Sequence, residues 1–328
     1  MKLRWLALGL VVLALLVPAV MVTVTRLVEP TGGRWIRLVS FTPHVIVLYL
    51  LALLLLVVAV VAGRGLGRRA SGSVGALVLA LLALHLFWLS ELYVGEQASA
   101  QGETLTVMAA NLSFGDADPG SVVELAKEQG VDVVVFVEIT DDARDGLLRA
   151  GLGERFPHAE GESVDGVFGT MVFSRYRISG VTALDTKFRG FSMRVRAPGG
   201  GIDLIAVHPP PPMQDATQWR ADHDAIRQAA AAATGPTVIA GDLNATLDHL
   251  PMRELEGRGF ADAAAEANSG WQPTWPDADR VSLLGIRVPT ILAIDHVLTD
   301  DGFDAVQTET SQVPGTDHRA LVATLVRR

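Results

Sequence analysis

Acidic, amide and imidazole side chains follow several apolar segments of this sequence. Asn111 ends TLTVMAAN, Glu138 ends VDVVVFVE and His208 ends IAVH, while Asp242 and Asn244 follow VIAG two residues apart. Residues two apart point to the same side of an extended chain. Carboxylate and amide oxygens are ligands that a hard cation such as Mg²⁺ prefers. These positions therefore predict a metal-binding group at strand ends.

Two Asp-His pairs add imidazoles to this group. Asp295 and His296 stand in AIDHVL, and Asp317 and His318 stand in PGTDHRAL. An imidazole can move a proton or stabilise a phosphoryl oxygen, and a neighbouring carboxylate fixes its tautomer and raises its basicity. We interpret His296 as a structural residue or as one that supports the residues of the site. Each residue alone has a plain explanation as a turn or a helix cap, but the set is typical of metal-assisted hydrolysis.

An alternation of strands and helices after residue 104 would position these side chains. The apolar, β-branched runs are typical of strands covered on both faces. Helices are predicted at 119–130, which ends at a glycine, and at 217–233. Strands are predicted at 104–112, 131–139, 169–174, 178–184, 192–197, 202–208, 237–240, 291–298 and 319–326.

The first hundred residues predict a membrane anchor. Three uncharged apolar runs give helices at about 5–25, 42–63 and 74–93, each near the ~20 residues that cross a hydrocarbon core. The first run is longer than the apolar core of a signal peptide, so we expect it to be retained, with cleavage as the alternative. The predicted domains are an anchor (1–96), a tether (97–103) and a catalytic domain (104–328).

Charge separates the two parts and suggests an orientation. The 328 residues carry a net charge of −9, but residues 1–100 contain eight basic and three acidic residues, which leaves 19 basic and 33 acidic residues beyond them. The basic residues favour a cytoplasmic N-terminus, with the catalytic domain outside the plasma membrane. The acidic domain has no Lys/Arg-rich run, which argues against duplex DNA as a partner. The absence of cysteine excludes thiol nucleophiles and Cys-ligated zinc.

The motifs occur in an order that resembles the endonuclease/exonuclease/phosphatase superfamily, from residue 104 to about residue 326. They are AANLSF, VFVEIT, GTMVFSR, VHPPPP, GDLN, IDHVL and TDHRAL. This resemblance implies a DNase I-like fold, an α/β four-layer α-β-β-α sandwich that follows the three transmembrane helices. It also implies hydrolysis of a phosphate ester with a divalent cation, Mg²⁺ or, as the alternative, Mn²⁺.

The resemblance assigns roles to the metal side of the site. Glu138 corresponds to the main metal ligand, and Asn111 and Asp317 would help to hold the metal or its waters. Asp242 corresponds to the residue that orients or deprotonates the attacking water. Asn244 corresponds to a residue that binds the scissile phosphate.

The resemblance also assigns the phosphate side. His318 corresponds to the phosphate-contacting histidine, supported by Asp295, and His208 corresponds to a general acid or a phosphate ligand. Trp275 and Arg220 are weaker candidates for substrate binding, with packing and a solvated helix face as their alternative explanations.

A membrane anchor with an acidic domain of this type also resembles the actinomycete membrane phosphatases of the teicoplanin-resistance type. That resemblance implies undecaprenyl pyrophosphate or a related envelope lipid as substrate, with the bilayer as partner. Residues 292–294 (LAI) also lack the basic residue that nucleases of the superfamily often place before the aspartate. The alternatives are an extracytoplasmic nuclease or nucleotide phosphodiesterase, and a non-catalytic envelope binding module. The oligomeric state stays open.

Overall fold

The computed structural model describes residues 2–95, 102–277, 282–283 and 286–328. The chain divides into two compact units, which are described separately. The first comprises Met1–Glu91 and Asp248–Leu250, and the second comprises Leu92–Leu247 and Pro251–Arg328. Residues 97–101 of the predicted tether lie outside the described residues, so the tether and the anchor boundary at residue 96 stay predictions.

The first unit contains the three apolar helices that the sequence predicts. Its helices are α1 (Lys2–Val28), α2 (Gly33–Val39), α3 (Val45–Ala62) and α4 (Gly65–Ser90). By length and composition, Leu3–Val28, Val45–Ala62 and Gly67–Ser90 are long and apolar enough to cross a membrane. The short helix α2 was not predicted. Helix α4 begins nine residues before the predicted start, because the small and basic residues that precede the apolar run continue the helix.

A buried polar cluster joins the long helices of the first unit. Thr23 Oγ1 lies 2.6 Å from Tyr49 OH and 2.9 Å from His85 Nε2, and His85 Nδ1 lies 2.8 Å from Thr42 O. Polar groups between apolar helices need internal partners, since hydrocarbon offers none. Both nitrogens of His85 have such a partner, which supports a structural role for this histidine.

The second unit is built on two six-stranded sheets. The first has the strand order β13-β14-β1-β2-β4-β3, the second has the order β5-β6-β7-β8-β12-β9, and β10 and β11 form a separate pair. The strands are β1 (Thr104–Asn111), β2 (Val133–Val137), β3 (His158–Glu162), β4 (Thr170–Ser174), β5 (Ile178–Ala183), β6 (Phe191–Ala197), β7 (Gly200–Val207), β8 (Thr237–Asp242), β9 (Ala261–Asp262), β10 (Ser282–Leu283), β11 (Ile286–Arg287), β12 (Asp295–Thr299), β13 (Phe303–Gln312) and β14 (Arg319–Arg327).

Helices cover the outer faces of both sheets, which confirms the predicted four-layer sandwich. The inner faces share one apolar core, in which Ala109 and Val135 of the first sheet join Val195 and Leu204 of the second. A second core lies between the first sheet and its helices, and Trp219 is buried on α8, which contacts β7 of the second sheet. The helices are α5 (Pro119–Glu128), α6 (Asp141–Arg149), α7 (Leu152–Arg155), α8 (Ala216–Ala232), α9 (Leu250–Glu256) and α10 (Ala263–Glu266).

Strand directions bring the predicted polar residues to one edge. The pairs β1/β2 and β7/β8 are parallel, so the carboxyl ends of both strands in each pair lie together. Strand β12 is antiparallel to β8 and places Asp295 opposite Asp242. The predicted strand at 291–298 begins only at Asp295, because Ile291 and Leu292 hydrogen-bond to the backbone of Trp275 instead.

Five strands were not predicted from the sequence: β3, β9, β10, β11 and β13. Strands β9, β10 and β11 have only two residues each, which is too short for a recognisable pattern. Strand β3 and the ten-residue strand β13 are both outer strands of the first sheet. Both contain exposed and polar residues along much of their length, so they lack the apolar run by which the buried strands are recognised.

The backbone at Gly241, in the GDLN motif, requires a residue without a side chain. Gly241 has φ +143°, and a Cβ at this position would overlap Val207 O of the neighbouring strand. We expect Gly241→Ala to lower the free energy of unfolding by more than about 3 kcal/mol, because both the backbone conformation and the close strand approach exclude a side chain.

Thermal unfolding of the purified full-length protein tests this expectation. Gly130→Ala is the matched control, since Gly130 also has a positive φ (+64°) but has no atom near the added Cβ. Its cost is expected to be about 1 kcal/mol. Equal melting temperatures for the two variants would contradict the close approach at Gly241.

Candidate active site

The candidate site is assembled from the ends of strands in both sheets. Asn111 is the last residue of β1, and Glu138 follows the last residue of β2. His208 follows β7, and Asp242 is the last residue of β8. All are buried except Glu138, whose side chain is 12% exposed. Glu138 is therefore the most solvent-accessible of these four side chains.

An amide connects the two sheets at the centre of this group. Asn111 Nδ2 donates to Glu138 Oε1 and to Asp242 Oδ2, each at 3.1 Å. The amide oxygen of Asn111 accepts from the backbone N–H of Ser113 at 2.9 Å, which fixes the orientation of the side chain. Asn111 thus holds the two carboxylates in place, while Glu138 Oε2 accepts from the backbone N–H of Phe114 at 2.9 Å.

Glu138 and Asn244 both have left-handed backbones, with φ +54° and +46°. Such conformations in residues other than glycine cost free energy and are found where neighbouring contacts enforce them, often at functional sites. At Asn244 the backbone N–H donates to Asp242 Oδ1 at 2.8 Å and the side-chain amide donates to Pro209 O at 3.0 Å. Asn244 therefore joins the loop after β8 to the loop after His208.

His318 is held between two carboxylates. Its Nδ1 donates to Asp295 Oδ2 at 2.8 Å, and its Nε2 lies 3.8 Å from Asp242 Oδ2. Burial lowers the pKa of the His318 imidazole, but the charges of Asp295 and Asp242 outweigh burial and raise this pKa above its usual value. The raised pKa favours the protonated form of His318, which would attract an anionic oxygen.

His208 has the opposite electrostatic environment. Burial, with a smaller contribution from the charge of His318, lowers the pKa of His208 to about 3. Its Nε2 lies 3.6 Å from Asp242 Oδ2 and 3.8 Å from Glu138 Oε1, beyond hydrogen-bond distance, and its ring packs against Phe188 at 4.9 Å. The lowered pKa favours the neutral imidazole, which could donate a hydrogen bond to a phosphoryl oxygen, and the role of His208 as general acid or phosphate ligand stays a prediction.

The carboxylates fit a divalent cation. Burial raises the pKa of Glu138, and the negative charge of Asp317 adds a smaller increase. Among the described residues, no Lys or Arg forms an ion pair with Glu138, Asp242, Asp295 or Asp317. An oxygen-rich group of this kind has the chemistry of a Mg²⁺ or Mn²⁺ site.

A second group of possible ligand atoms lies deeper. Single atoms of Asp242, Asp295 and His318 lie within 4.8 Å of one another. The hydrogen bond between His318 and Asp295 already occupies one imidazole nitrogen. Burial and the charge of Asp295 raise the pKa of Asp242, which makes this carboxylate a stronger base than an exposed aspartate. These properties suit proton transfer better than metal binding.

Trp275 contacts a site residue directly. Its indole N–H donates to Asp317 Oδ2 at 3.1 Å. The structure therefore gives Trp275 a contact that orients Asp317, whereas its predicted contact with substrate stays a prediction. Arg220 lies half-buried on α8, and its predicted role in substrate binding stays a prediction as well.

Sequence reasoning missed two threonines that support the site. Thr316 Oγ1 donates to Asn111 O at 2.8 Å and accepts from the backbone N–H of His318 at 3.1 Å. Thr274 Oγ1 accepts from the backbone N–H of Asp295 at 3.2 Å. Thr316 stands next to the TDH motif, but its partner is 205 residues away in the chain, so no local pattern indicates the contact.

A comparison with known families gave one match. The sequence model of the endonuclease/exonuclease/phosphatase family matches residues 108–318. No curated protein gave a match.

Solved structures share the fold. The endonuclease/exonuclease/phosphatase from Beutenbergia cavernae is 19% identical over 69% of this chain and 72% of its own, with a TM-score of 0.53. Truncated TDP2 from Caenorhabditis elegans is 16% identical over 68% of this chain and 97% of its own, with a TM-score of 0.56. TDP2 from D. rerio, complexed with a single-strand DNA product, is 14% identical over 68% and 98%, with a TM-score of 0.53.

The contact between Asp295 and His318 can be tested by substitution. We expect Asp295→Asn to lower kcat on bis-p-nitrophenyl phosphate by at least about 100-fold, because a neutral amide neither fixes the tautomer of His318 nor stabilises its charge. The measurement is steady-state hydrolysis, normalised to the folded fraction.

Asp262→Asn is the matched control for this test. Asp262 Oδ2 accepts from His296 Nδ1 at 2.7 Å, in a second buried Asp-His pair whose other ring nitrogen lies 2.9 Å from Ala245 O. This variant is expected to lose stability and to keep its kcat per folded molecule. A similar loss of kcat in both variants would contradict a specific role for Asp295.

Proposed function

The chain belongs to the endonuclease/exonuclease/phosphatase family, and from this premise we propose that it is a membrane-anchored, Mg²⁺-dependent phosphohydrolase of a cell-envelope lipid. Members of the family are generally hydrolases that act on phosphate esters. The observation that carries the proposal is the convergence of Asn111, Glu138, His208, Asp242 and His318 within hydrogen-bond or near-contact distance.

The metal side of the site would be formed by Glu138 and Asp317, with Asn111 holding Glu138 in position. A bound Mg²⁺, or Mn²⁺ as the alternative, supplies positive charge that offsets the charge of the phosphoryl oxygens. Trp275 orients Asp317 through its indole N–H.

The remaining residues would bind the phosphate and activate water. Asp242 Oδ2 would accept a proton from the attacking water, whose oxygen bonds to phosphorus while the bond from phosphorus to the leaving oxygen breaks. Asn244, His208 and protonated His318 would donate to the phosphoryl oxygens. For a lipid pyrophosphate, one water is consumed and the products are a lipid monophosphate and inorganic phosphate.

The charge distribution supports a lipid rather than DNA as substrate. The residues beyond position 100 carry 33 acidic and 19 basic side chains, a balance that opposes binding to a polyanion. Three helices long and apolar enough to span a membrane would confine the enzyme to the surface where a lipid phosphate is found. Undecaprenyl pyrophosphate is the proposed substrate of this class.

A nuclease or phosphodiesterase is the second candidate, favoured by the likeness to a structure that contains a DNA product. Full-length protein should therefore be given undecaprenyl pyrophosphate, bis-p-nitrophenyl phosphate and plasmid DNA, with Mg²⁺ or EDTA. We expect phosphate release from the lipid with Mg²⁺ only. We also expect Glu138→Gln to lower kcat/KM at least about 100-fold, with partial recovery at high Mg²⁺, because one metal ligand is weakened.

Each outcome of this assay favours one of the three candidate functions. DNA cleavage without release from the lipid would favour the nuclease, and inactivity on all three substrates would favour a non-catalytic binding module. Leu148→Ala is a control variant, since this exposed side chain of α6 makes no contact in the proposed mechanism.

We also propose that the N-terminus is cytoplasmic and the catalytic unit extracytoplasmic. Alkaline phosphatase fused after Arg328 should then be active and green fluorescent protein at the same position dark, because the basic residues before the first helix and between the last two spans stay inside. Fusions after Arg64 should give the opposite pair of signals. A fluorescent fusion at Arg328 would refute the orientation.

A further inference from the structure

Exposed apolar side chains are unevenly distributed over the second unit. Of its described residues, seven large apolar side chains are exposed, and three of these belong to loops of the candidate site. Phe114 is 60% exposed, Phe168 is 42% exposed and Met213 is 57% exposed. We refer to these three side chains as the apolar rim. Exposed apolar groups cost free energy in water, and a group of them around a polar centre is typical of a binding site.

Phe114 is joined to the metal side of the site. Its backbone N–H donates to Glu138 Oε2 at 2.9 Å, and its φ of +58° is unusual for a bulky residue. The hydrogen bond fixes the backbone beside Glu138 while the ring stays in solvent. The exposure of Phe114 is therefore a property of a constrained loop.

Phe168 is joined to the phosphate side. Its ring packs edge-on against Phe188 at 5.3 Å, and the Phe188 ring packs against His208 at 4.9 Å. The next residue, Gly169, accepts a backbone hydrogen bond from Ile139, which follows Glu138. Phe168 thus lies at the same sheet edge as the reacting groups.

Met213 follows the proline run that begins after His208. Pro209 O accepts from the side-chain amide of Asn244 at 3.0 Å, and Pro211 O accepts from the backbone N–H of Gln214 at 3.0 Å. Proline fixes φ, so this run holds Met213 in a constrained turn just before α8. Phe114 is thus bonded to Glu138, Phe168 is connected to His208 through Phe188, and Met213 lies five residues after His208 in the chain.

Two cationic side chains near Phe168 form ion pairs; the backbone N–H of Arg189 donates to Phe168 O at 3.1 Å. Lys187 Nζ lies 3.5 Å from Asp215 Oδ2, and Arg189 Nε lies 3.0 Å from Glu162 Oε2. Side chains that bind a nucleic-acid backbone need positive charge that is not already neutralised by a neighbouring carboxylate. A polar centre that suits an anionic phosphate, surrounded by apolar side chains and by paired cations, matches an amphiphile.

We propose that the apolar rim binds the hydrocarbon chain next to the scissile phosphate, so that the enzyme selects phosphate esters of a prenyl or acyl chain. This inference rests on the proposed phosphohydrolase function and names the residues that recognise the substrate class. The chain would lie across Phe114, Phe168 and Met213 while its phosphate occupies the site.

The test compares two soluble pyrophosphates that differ only in the chain. Geranyl pyrophosphate carries a short prenyl group and dissolves as a monomer, and methyl pyrophosphate carries the same reacting group without the chain. In the full-length protein, Phe114→Ala/Met213→Ala is expected to lower the ratio of kcat/KM values (geranyl over methyl) about tenfold, as expected when apolar contacts with substrate are lost. Phe168→Ala is expected to lower it in the same direction.

Leu148→Ala is the matched control, because Leu148 is exposed to a similar extent (45%) and lies on α6. It is expected to keep the wild-type ratio. An unchanged ratio in the rim variants would overturn the rim proposal and leave the phosphohydrolase function intact. A loss confined to vesicle-embedded undecaprenyl pyrophosphate would overturn it too, since it would indicate bilayer contact. An equal loss with thymidine 5′-p-nitrophenyl phosphate would indicate base stacking instead.

A binding measurement separates this inference from the proposed function. Geranyl phosphonate, which has no bond to hydrolyse, is titrated calorimetrically into wild-type and rim-variant protein with Mg²⁺ and with EDTA. Weaker binding by the rim variants in both conditions would support the rim proposal, whether or not the wild-type protein hydrolyses a pyrophosphate. A wild-type protein that hydrolyses no pyrophosphate would overturn only the proposed function. Equal binding by all variants overturns the rim.

Discussion

The carboxylates of Asp242 and Asp295 face each other across the β8/β12 ladder in the interior of the protein. A buried charge costs free energy unless hydrogen-bond donors or opposite charges surround it. Protonated His318, bonded to Asp295 and 3.8 Å from Asp242, supplies the opposite charge, and Asn111 and the Asn244 backbone supply donors. The positions of the other site residues depend on this group of buried charges.

The same constraint explains why the supporting contacts come from distant parts of the chain. Thr316 connects His318 to the end of β1, and Thr274 holds the start of β12. Trp275 orients Asp317 from the same segment. Small errors in position would leave charges without partners, so backbone groups and short side chains fix each functional residue. The strained backbones of Glu138 and Asn244 are consistent with that requirement.

Two histidines in one site favour different charge states because their neighbours differ. His318 has a carboxylate on each side, whereas His208 is buried against Phe188 and lies outside hydrogen-bond distance of Glu138 and Asp242. The two carboxylates favour the protonated form of His318, whereas burial favours the neutral form of His208. This division suits a substrate whose phosphoryl oxygens need both charge and directed hydrogen bonds, and the apolar rim outside suits the chain attached to that phosphate.

The sequence alone indicated most of the buried strands, the long apolar helices and the types of residue at the strand ends, and the family resemblance added the four-layer arrangement. Buried strands such as β2 and apolar helices such as α3 carry patterns that depend only on local burial, so these patterns can be read along the chain. The motif residues from Asn111 to His318 were recognised for the same reason, since each directly follows or precedes such a run. The outer strands β3 and β13 were missed because half-exposed strands carry a weaker pattern.

Tertiary structure decided the relations between these residues. Some relations depend on distances between segments that are far apart in the chain. Examples are the hydrogen bonds from Asn111 to Glu138 and Asp242 and the contact between Trp275 and Asp317. The different pKa shifts of His208 and His318 are a further example. The exposure of Phe114 and Met213 likewise appears only after folding, because local sequence gives aromatic and aliphatic residues the same apolar character in a core or at a rim. Hydrogen bonds and charges act over a few ångströms in space, and sequence separation does not encode that distance.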